Sequence, residues 1–245
     1  MTITAQFPQI SHAGVNGLVV RFGDRLSDPA NRAALAFRAA AEAAAWPGVE
    51  ETVSTLASVY LRFDPVVAAY AALSAQVGRL LDAEDWYAAP LPHGRRLWRV
   101  PTVYGGSHGP QLEEAAAEAG LSAEAAVAML STSQVRVQTI GFAPGLPYLG
   151  PLPEVWDIPR QTGLTARVPA GALLVAIRQF VLFPVPTPTG WRHIAMTALP
   201  LFRPDQTPCV LLRAGDEVLF PSVPAADWPD LQADPQGGAT CEALA

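Results

Sequence analysis

The sequence predicts an α+β protein in two parts: a small N-terminal α/β part, then a β-barrel of short strands. Three observations predict it. Strands and helices follow one another in the order β-α-β-β-α-β over the first hundred residues, the split βαβ plan. From Pro110 the texture changes, and short apolar runs recur at close intervals between Pro- and Gly-rich turns, the pattern of a closed or nearly closed barrel. The chain has 245 residues, half of them hydrophobic, enough for one large or two ordinary domains.

The elements follow in order. Gly17–Phe22 (GLVVRF) is an apolar strand closed by Gly23-Asp24. Pro29–Ala45 is alanine-rich, with Leu35, Phe37 and Trp46 spaced for one buried face, and Pro29 suits a first helical turn. Val49–Ser54 and Ser58–Phe63 read as two strands on a tight connection. Val66–Asp82 reads as a helix, with Tyr70, Leu73, Val77 and Leu80 at helical spacing. Leu97–Val103 is the next strand, reached through the linker Tyr87–Arg96. Two short helices split at Gly120 follow, with Ser122 as N-cap of the second. The barrel strands are Val135–Ile140, Arg167–Val168, Leu173–Ile177, Leu182–Pro184, Arg192–Ala195, Val210–Leu212 and Glu217–Phe220. The expected domains are residues 1–90, 91–225 and a C-terminal tail, 226–245, that adds little.

Composition narrows the function. The formal net charge is −6 and every basic residue except histidine is arginine, which speaks against a nucleic-acid partner, since that needs a broad positive face. No apolar run approaches the ~18–20 residues that span a bilayer, and the N-terminus shows no signal-peptide pattern, so no membrane partner and a cytoplasmic location are expected. Cys209 and Cys241 form no CxxC pair, and the four histidines share no metal-ligand spacing. No metal site is expected.

The stretch Thr139–Ala195 carries most of the chemistry. Between Asp157 and Asp205 there is no acidic residue, yet Arg160, Arg167, Arg178, Arg192 and Arg203 fall there. Guanidinium grips a carboxylate or phosphate through two hydrogen bonds at once, so an anion site is expected, unless acidic residues from elsewhere neutralise the arginines. In Gly141–Gly150 (GFAPGLPYLG) Pro144 and Gly145 fix the loop, and Phe142 and Tyr148 can wall a pocket; a plain barrel corner is the commoner reading of such a run. The loop Tyr104–Pro110 (YGGSHGP) lacks the phosphate-loop spacing. His108 within it is the better acid/base candidate, while His193 beside Trp191 and Arg192 stands at a pocket rim.

These residues resemble the carboxyltransferase subdomain C/D family, which includes an allophanate hydrolase subunit, the sporulation-kinase inhibitor KipI and one of the subunits of prokaryotic 5-oxoprolinase. The resemblance runs through Leu61-Arg62-Phe63-Asp64-Pro65, Tyr104-Gly105-Gly106, Gly141–Gly150, Pro159-Arg160, Arg167-Val168-Pro169-Ala170-Gly171, Gln179, Gly190-Trp191 and Leu211–Asp216. It implies that the barrel is cyclophilin-like. It implies a partner of the subdomain A/B type (KipA-like, the companion 5-oxoprolinase subunit) and a third, LamB/YcsF-type subunit. The implied activity is ATP-driven hydrolysis of an amide or lactam, with ATP bound somewhere in the complex and no biotin attachment in this chain. Arg160, Arg167, Arg178 and Gln179 would then hold an anionic substrate, and Phe142, Pro144, Gly145, Tyr148, Pro169 and Gly171 would wall its pocket. The alternative is a non-catalytic module inhibiting a sensor histidine kinase. The chain departs from the family pattern at Ser107 and Gln111, where carboxylates are usual, and at Leu130, where a histidine is usual. It thereby loses a carboxylate and an imidazole as plausible proton carriers and is expected to be inactive alone.

Overall fold

The computed structural model describes residues 6–244. They divide into two compact units meeting between His93 and Gly94, and each is taken by itself.

The first unit holds β1 (Gln9–His12), β2 (Gly17–Arg21), α1 (Asp28–Ala44), β3 (Val49–Ser54), β4 (Ser58–Phe63) and α2 (Tyr70–Leu81). The sheet order is β1-β2-β4-β3, every pair antiparallel. Because β2 and β3 both run against β4, the β2-α1-β3 crossover straddles it, as the split plan requires. Alternation in β4 sends Val59, Leu61 and Phe63 into the core, where they meet Leu18, Val20 and the Phe37 face of α1. Phe37 is fully buried, which contributes roughly 2–3 kcal/mol, and Trp86 meets it edge-on at 5.2 Å. The Ser27 hydroxyl caps α1 by accepting from Ala30 N at 3.3 Å.

Two local expectations shift. The second helix begins at Tyr70, not Val66, because Asp64 folds 64–68 into a turn, its carboxylate accepting Val66 N at 2.8 Å. Val66 is 92% exposed. The strand expected at Leu97–Val103 does not close this sheet; it belongs to the second unit and is broken at Pro101, which has no N–H for a ladder. Tyr87 and Ala89, read as linker, pack on the first core.

The second unit contains β5 (Arg96–Arg99), β6 (Thr102–Tyr104), α3 (Leu112–Glu118), α4 (Ala123–Thr132), β7 (Val135–Ile140), β8 (Pro147–Gly150), β9 (Thr165–Val168), β10 (Ala172–Ala176), β11 (Gln179–Leu182), β12 (Thr187–Thr189), β13 (Arg192–Thr197), β14 (Glu217–Leu219), α5 (Trp228–Ala233) and β15 (Thr240–Ala243). Nine strands form one sheet in the order β15-β5-β14-β7-β8-β11-β10-β13-β6. Only Val100-Pro101 links β5 near one end to β6 at the other. A two-residue link spans only about 10 Å between its flanking Cα atoms, so the sheet must curl until its ends meet. This is the barrel expected. The strands β9 and β12 form a separate antiparallel ribbon.

The curled sheet is packed on both faces. In β10, Leu173 and Val175 enter one cluster with Leu130, Trp156 and Phe220, while Ala172, Leu174 and Ala176 enter another with Leu146, Phe183 and Trp191. That explains the unbroken apolar runs of β10 and β11. Residues 226–245, read as a tail, hold α5 and the edge strand β15, which pairs antiparallel with β5, Cys241 opposite Trp98. Val210–Leu212 forms no strand; only an isolated bridge joins Val210 to Phe202.

Asp216 holds the barrel end. It is 1% exposed, and its carboxylate accepts from Arg96 N at 3.1 Å, Arg96 Nε at 3.2 Å, Arg213 N at 2.9 Å and the Arg96 terminal nitrogen. That nitrogen also donates to Leu211 O at 2.8 Å. Removing one partner of a buried pair leaves an uncompensated charge. Asp216→Ala is expected to lower unfolding free energy by about 3–5 kcal/mol, read by chemical denaturation of the full chain; a change under about 1 kcal/mol would remove Asp216 from this role.

Candidate functional site

Two adjoining grooves lie on the Leu146–Phe183 face of the curled sheet and share Phe183 as a wall. The first, about 340 Å³, is lined by Phe142, Tyr148, Leu164, Thr189 and Trp191 among others, with Arg160 as its one permanent charge among the described residues. The second, about 480 Å³, is lined by Pro169, Gly171, Met196 and Trp228 among others, and no charged side chain of the described residues lines it.

The first groove is built by turns. Residues 141–146 join β7 to β8, closed by Gly141 N to Leu146 O at 3.0 Å and Leu146 N to Ala143 O at 3.1 Å. This turn holds Phe142 at φ +73° and 74% exposed, a conformation uncommon for a bulky side chain. Tyr148 meets Trp191 edge-on at 6.2 Å. The Arg160 guanidinium lies 5.2 Å from the centre of the Trp191 ring, within cation–π range. Among the described residues no carboxylate pairs with Arg160.

The other expected residues are placed differently. Arg192, 5% exposed, is neutralised from α3: its Nε donates to Glu114 at 2.9 Å, a terminal nitrogen lies 3.5 Å from Glu118, and another donates to Pro159 O at 2.6 Å. Arg178 serves a hairpin turn. Ile177 and Arg178, at φ +44° and +59°, make the left-handed two-residue turn between β10 and β11 that usually needs Asn-Gly. The segment 152–158 clamps it, through Leu152 N to Arg178 O at 2.7 Å, Arg178 N to Trp156 O at 2.9 Å and Arg178 Nε to Leu152 O at 3.0 Å. Gln179 is 2% exposed and donates to Gln138 Oε1 at 2.6 Å. Arg167 is exposed on the β9–β12 ribbon. Neither Arg167, Arg178 nor Gln179 lines the Arg160 groove, so the arginines do not gather as one set. Pro144 and Gly145 shape the 141–146 loop rather than line either groove. Pro169 and Gly171 stand at the second groove; a side chain at Gly171 would lie 2.2 Å from Thr197 O, so only glycine fits there.

The Tyr104–Pro110 loop is not a phosphate cradle. Gly105 N donates to Ile194 O at 3.1 Å, and His108 N and Gly109 N both donate to Gly105 O. His108 packs edge-on to Trp228 at 5.0 Å. His193 is 6% exposed with Nε2 at 3.1 Å from Ala195 O. Burial lowers its pKa, while the carbonyls of Ala195 and His108 oppose the shift. Ser107 is exposed; Leu130 is in the main core. Gln111, which sequence reasoning treats only as a lost carboxylate, is a junction: its Oε1 accepts His193 N at 2.9 Å and its Nε2 donates to Gln161 Oε1 at 2.8 Å. Among the described residues no three His, Cys, Asp or Glu side chains are placed to hold a metal, and no helix is long and apolar enough to cross a membrane.

This architecture recurs in solved proteins. The crystal structure of TTHA0988 superposes with a TM-score of 0.72 at 32% identity over 85% of this chain. This chain spans 40% of that chain's length. The Kluyveromyces lactis urea amidolyase shares the fold at 14% identity, TM-score 0.71, over 96% of this chain and 16% of its own. A mixed chain with a curled nine-stranded sheet thus shares its fold with both proteins. The chain belongs to the family of the carboxyltransferase domain, subdomain C and D, whose profile matches residues 8–212. Among curated relatives, a 5-oxoprolinase subunit of Bacillus subtilis is 32% identical over 232 residues, 90% of this chain and 95% of that protein.

Two outcomes test these placements. Arg178→Ala is expected to lower stability by about 1 kcal/mol through the lost bond to Leu152 O, read as the denaturation midpoint, without weakening binding of any anion. His193 binds its proton less readily folded than unfolded, so the unfolded state holds more protons below about pH 6.5. Stability is therefore expected to be flat above that pH and to fall as pH drops below it. His193→Gln should flatten the fall in a series of melting curves; an unchanged slope would contradict the assignment.

Proposed function

We propose that this chain is the C/D-type subunit of a hydrolase complex acting on the C–N bond of an amide or lactam acid. One observation carries the reading: the Arg160 groove offers an unpaired guanidinium on an aromatic wall, yet Tyr148 and Arg160 are the only titratable groups among the described residues that line it. Such a groove can bind and orient an acid. Beyond the Tyr148 hydroxyl it offers no group to act as the general acid or base that opening an amide demands, so the remaining proton carrier comes from another chain. The near full-length similarity to a 5-oxoprolinase subunit supports the same division of labour.

The partner would be a subdomain A/B-type chain, with a LamB/YcsF-type subunit as third member, assembled in the cytoplasm. The Tyr104–Pro110 amides noted above already bond within the protein, so no step through ATP is assigned to this chain; ATP would act in a partner. The alternative, a module inhibiting a sensor histidine kinase, would use the same exposed rim of Phe142 and Leu164 but gives no role to the unpaired guanidinium.

Co-expression with the A/B-type and LamB/YcsF-type chains should yield a complex that hydrolyses amide or lactam acids, 5-oxoproline among those tried, only with ATP. The isolated chain should be inactive. Arg160→Met in the complex should lower kcat/KM by about tenfold or more, the scale of a lost hydrogen bond to a charged group. A pure, assembled complex with no ATP-dependent turnover would overturn the reading.

A further inference from the structure

The Arg160 groove is too apolar for a compact polar acid. Leu146, Val181 and Phe183 lie beneath it and are 0%, 2% and 3% exposed. Phe142 and Leu164, 74% and 76% exposed, rise at its rim. Against these walls stand three donors: the Arg160 guanidinium, the Tyr148 hydroxyl and the Trp191 indole N–H. None of them has a hydrogen-bond acceptor among the described residues. Trp191 is 5% exposed as a residue, but its indole N–H is not among the buried donors left without a partner, so it is open to water or a ligand. Stacking on Trp191 holds the guanidinium in place while leaving its N–H edge free. The volume, about 340 Å³, falls in the range of small-molecule sites, roughly 300–1,000 Å³.

We propose that this groove binds a free organic acid with an aryl or branched apolar body, its carboxylate on Arg160 and its body between Phe142 and Leu164. The inference deepens the functional reading above by naming the acid's class. It selects against a bare lactam ring, which would leave the apolar walls wet. The carboxylate supplies the charge complement that the groove lining lacks among the described residues, and the rim residues set specificity by the apolar area they cover.

The test needs neither partner nor ATP, so it fails or succeeds apart from turnover by the complex. The full chain is titrated with hippurate (N-benzoylglycine), its neutral amide and 5-oxoproline, and indole fluorescence and calorimetry are read. Hippurate should saturate and bind about tenfold or more tightly than either of the others. Arg160→Met should erase the preference for acid over amide. Leu164→Ser should weaken hippurate several-fold yet keep that preference. Both side chains are exposed, so the variants should fold, and their melting curves confirm it. The proposal is overturned by absence of saturable binding, by an amide or 5-oxoproline that binds as tightly as hippurate, or by a preference that survives Arg160→Met.

Discussion

Closure of the curled sheet at Asp216 is the constraint on which the rest of the second unit depends. One buried carboxylate gathers the amide and guanidinium of Arg96 and the amide of Arg213, while Asp216 O accepts Val137 N at 2.8 Å. This fixes the start of β5 beside β14, the only parallel pair of strands in the sheet among the described residues. Parallel neighbours cannot be joined by a tight hairpin, so a side-chain anchor sets their register instead. With that end held, the link through Pro101 carries the chain across to β6 and the sheet closes on itself.

Closure has a functional consequence. It leaves the β8-β11-β10 face with a packed back and an open front. The main core lies behind, and the grooves lie before a second apolar cluster. Two positions where the resemblance implied a carboxylate and a histidine are absorbed into this scaffold. Gln111 ties the edge of β13 to Gln161, and Leu130 fills the core. The neutral residues at 111 and 130 thus serve packing and bonding.

Much of the fold was legible because its signals are local. β4 alternates strictly over six residues, β3 and β7 are half or more β-branched, and Ser122 caps α4 as its position suggested. The elements that escaped notice have weak local patterns. β12 (Thr187–Thr189) contains Pro188, and β15 is fully exposed and polar at two of four positions. Their strands exist because a distant partner pairs with them. The acid-free run was a true local signal for Arg160, whose groove has only uncharged neighbours among the described residues. It misled for Arg192, since Glu114 and Glu118 arrive from a helix more than seventy residues earlier. It also misled for Arg178, whose partners are the Leu152 carbonyl and, at 3.9 Å, Glu154, and for Gln179, whose partner is a buried amide.

The central claim is that one unneutralised guanidinium on an aromatic wall makes this face a receptor for an organic anion. A crystal structure of the chain grown with an aryl carboxylate tests it most directly. The account predicts the carboxylate within hydrogen-bonding distance of Arg160, about 2.7–3.0 Å, and the ring against Leu164. Well-ordered ligand bound elsewhere, with Arg160 turned from Trp191 to a carboxylate of its own chain, would contradict it.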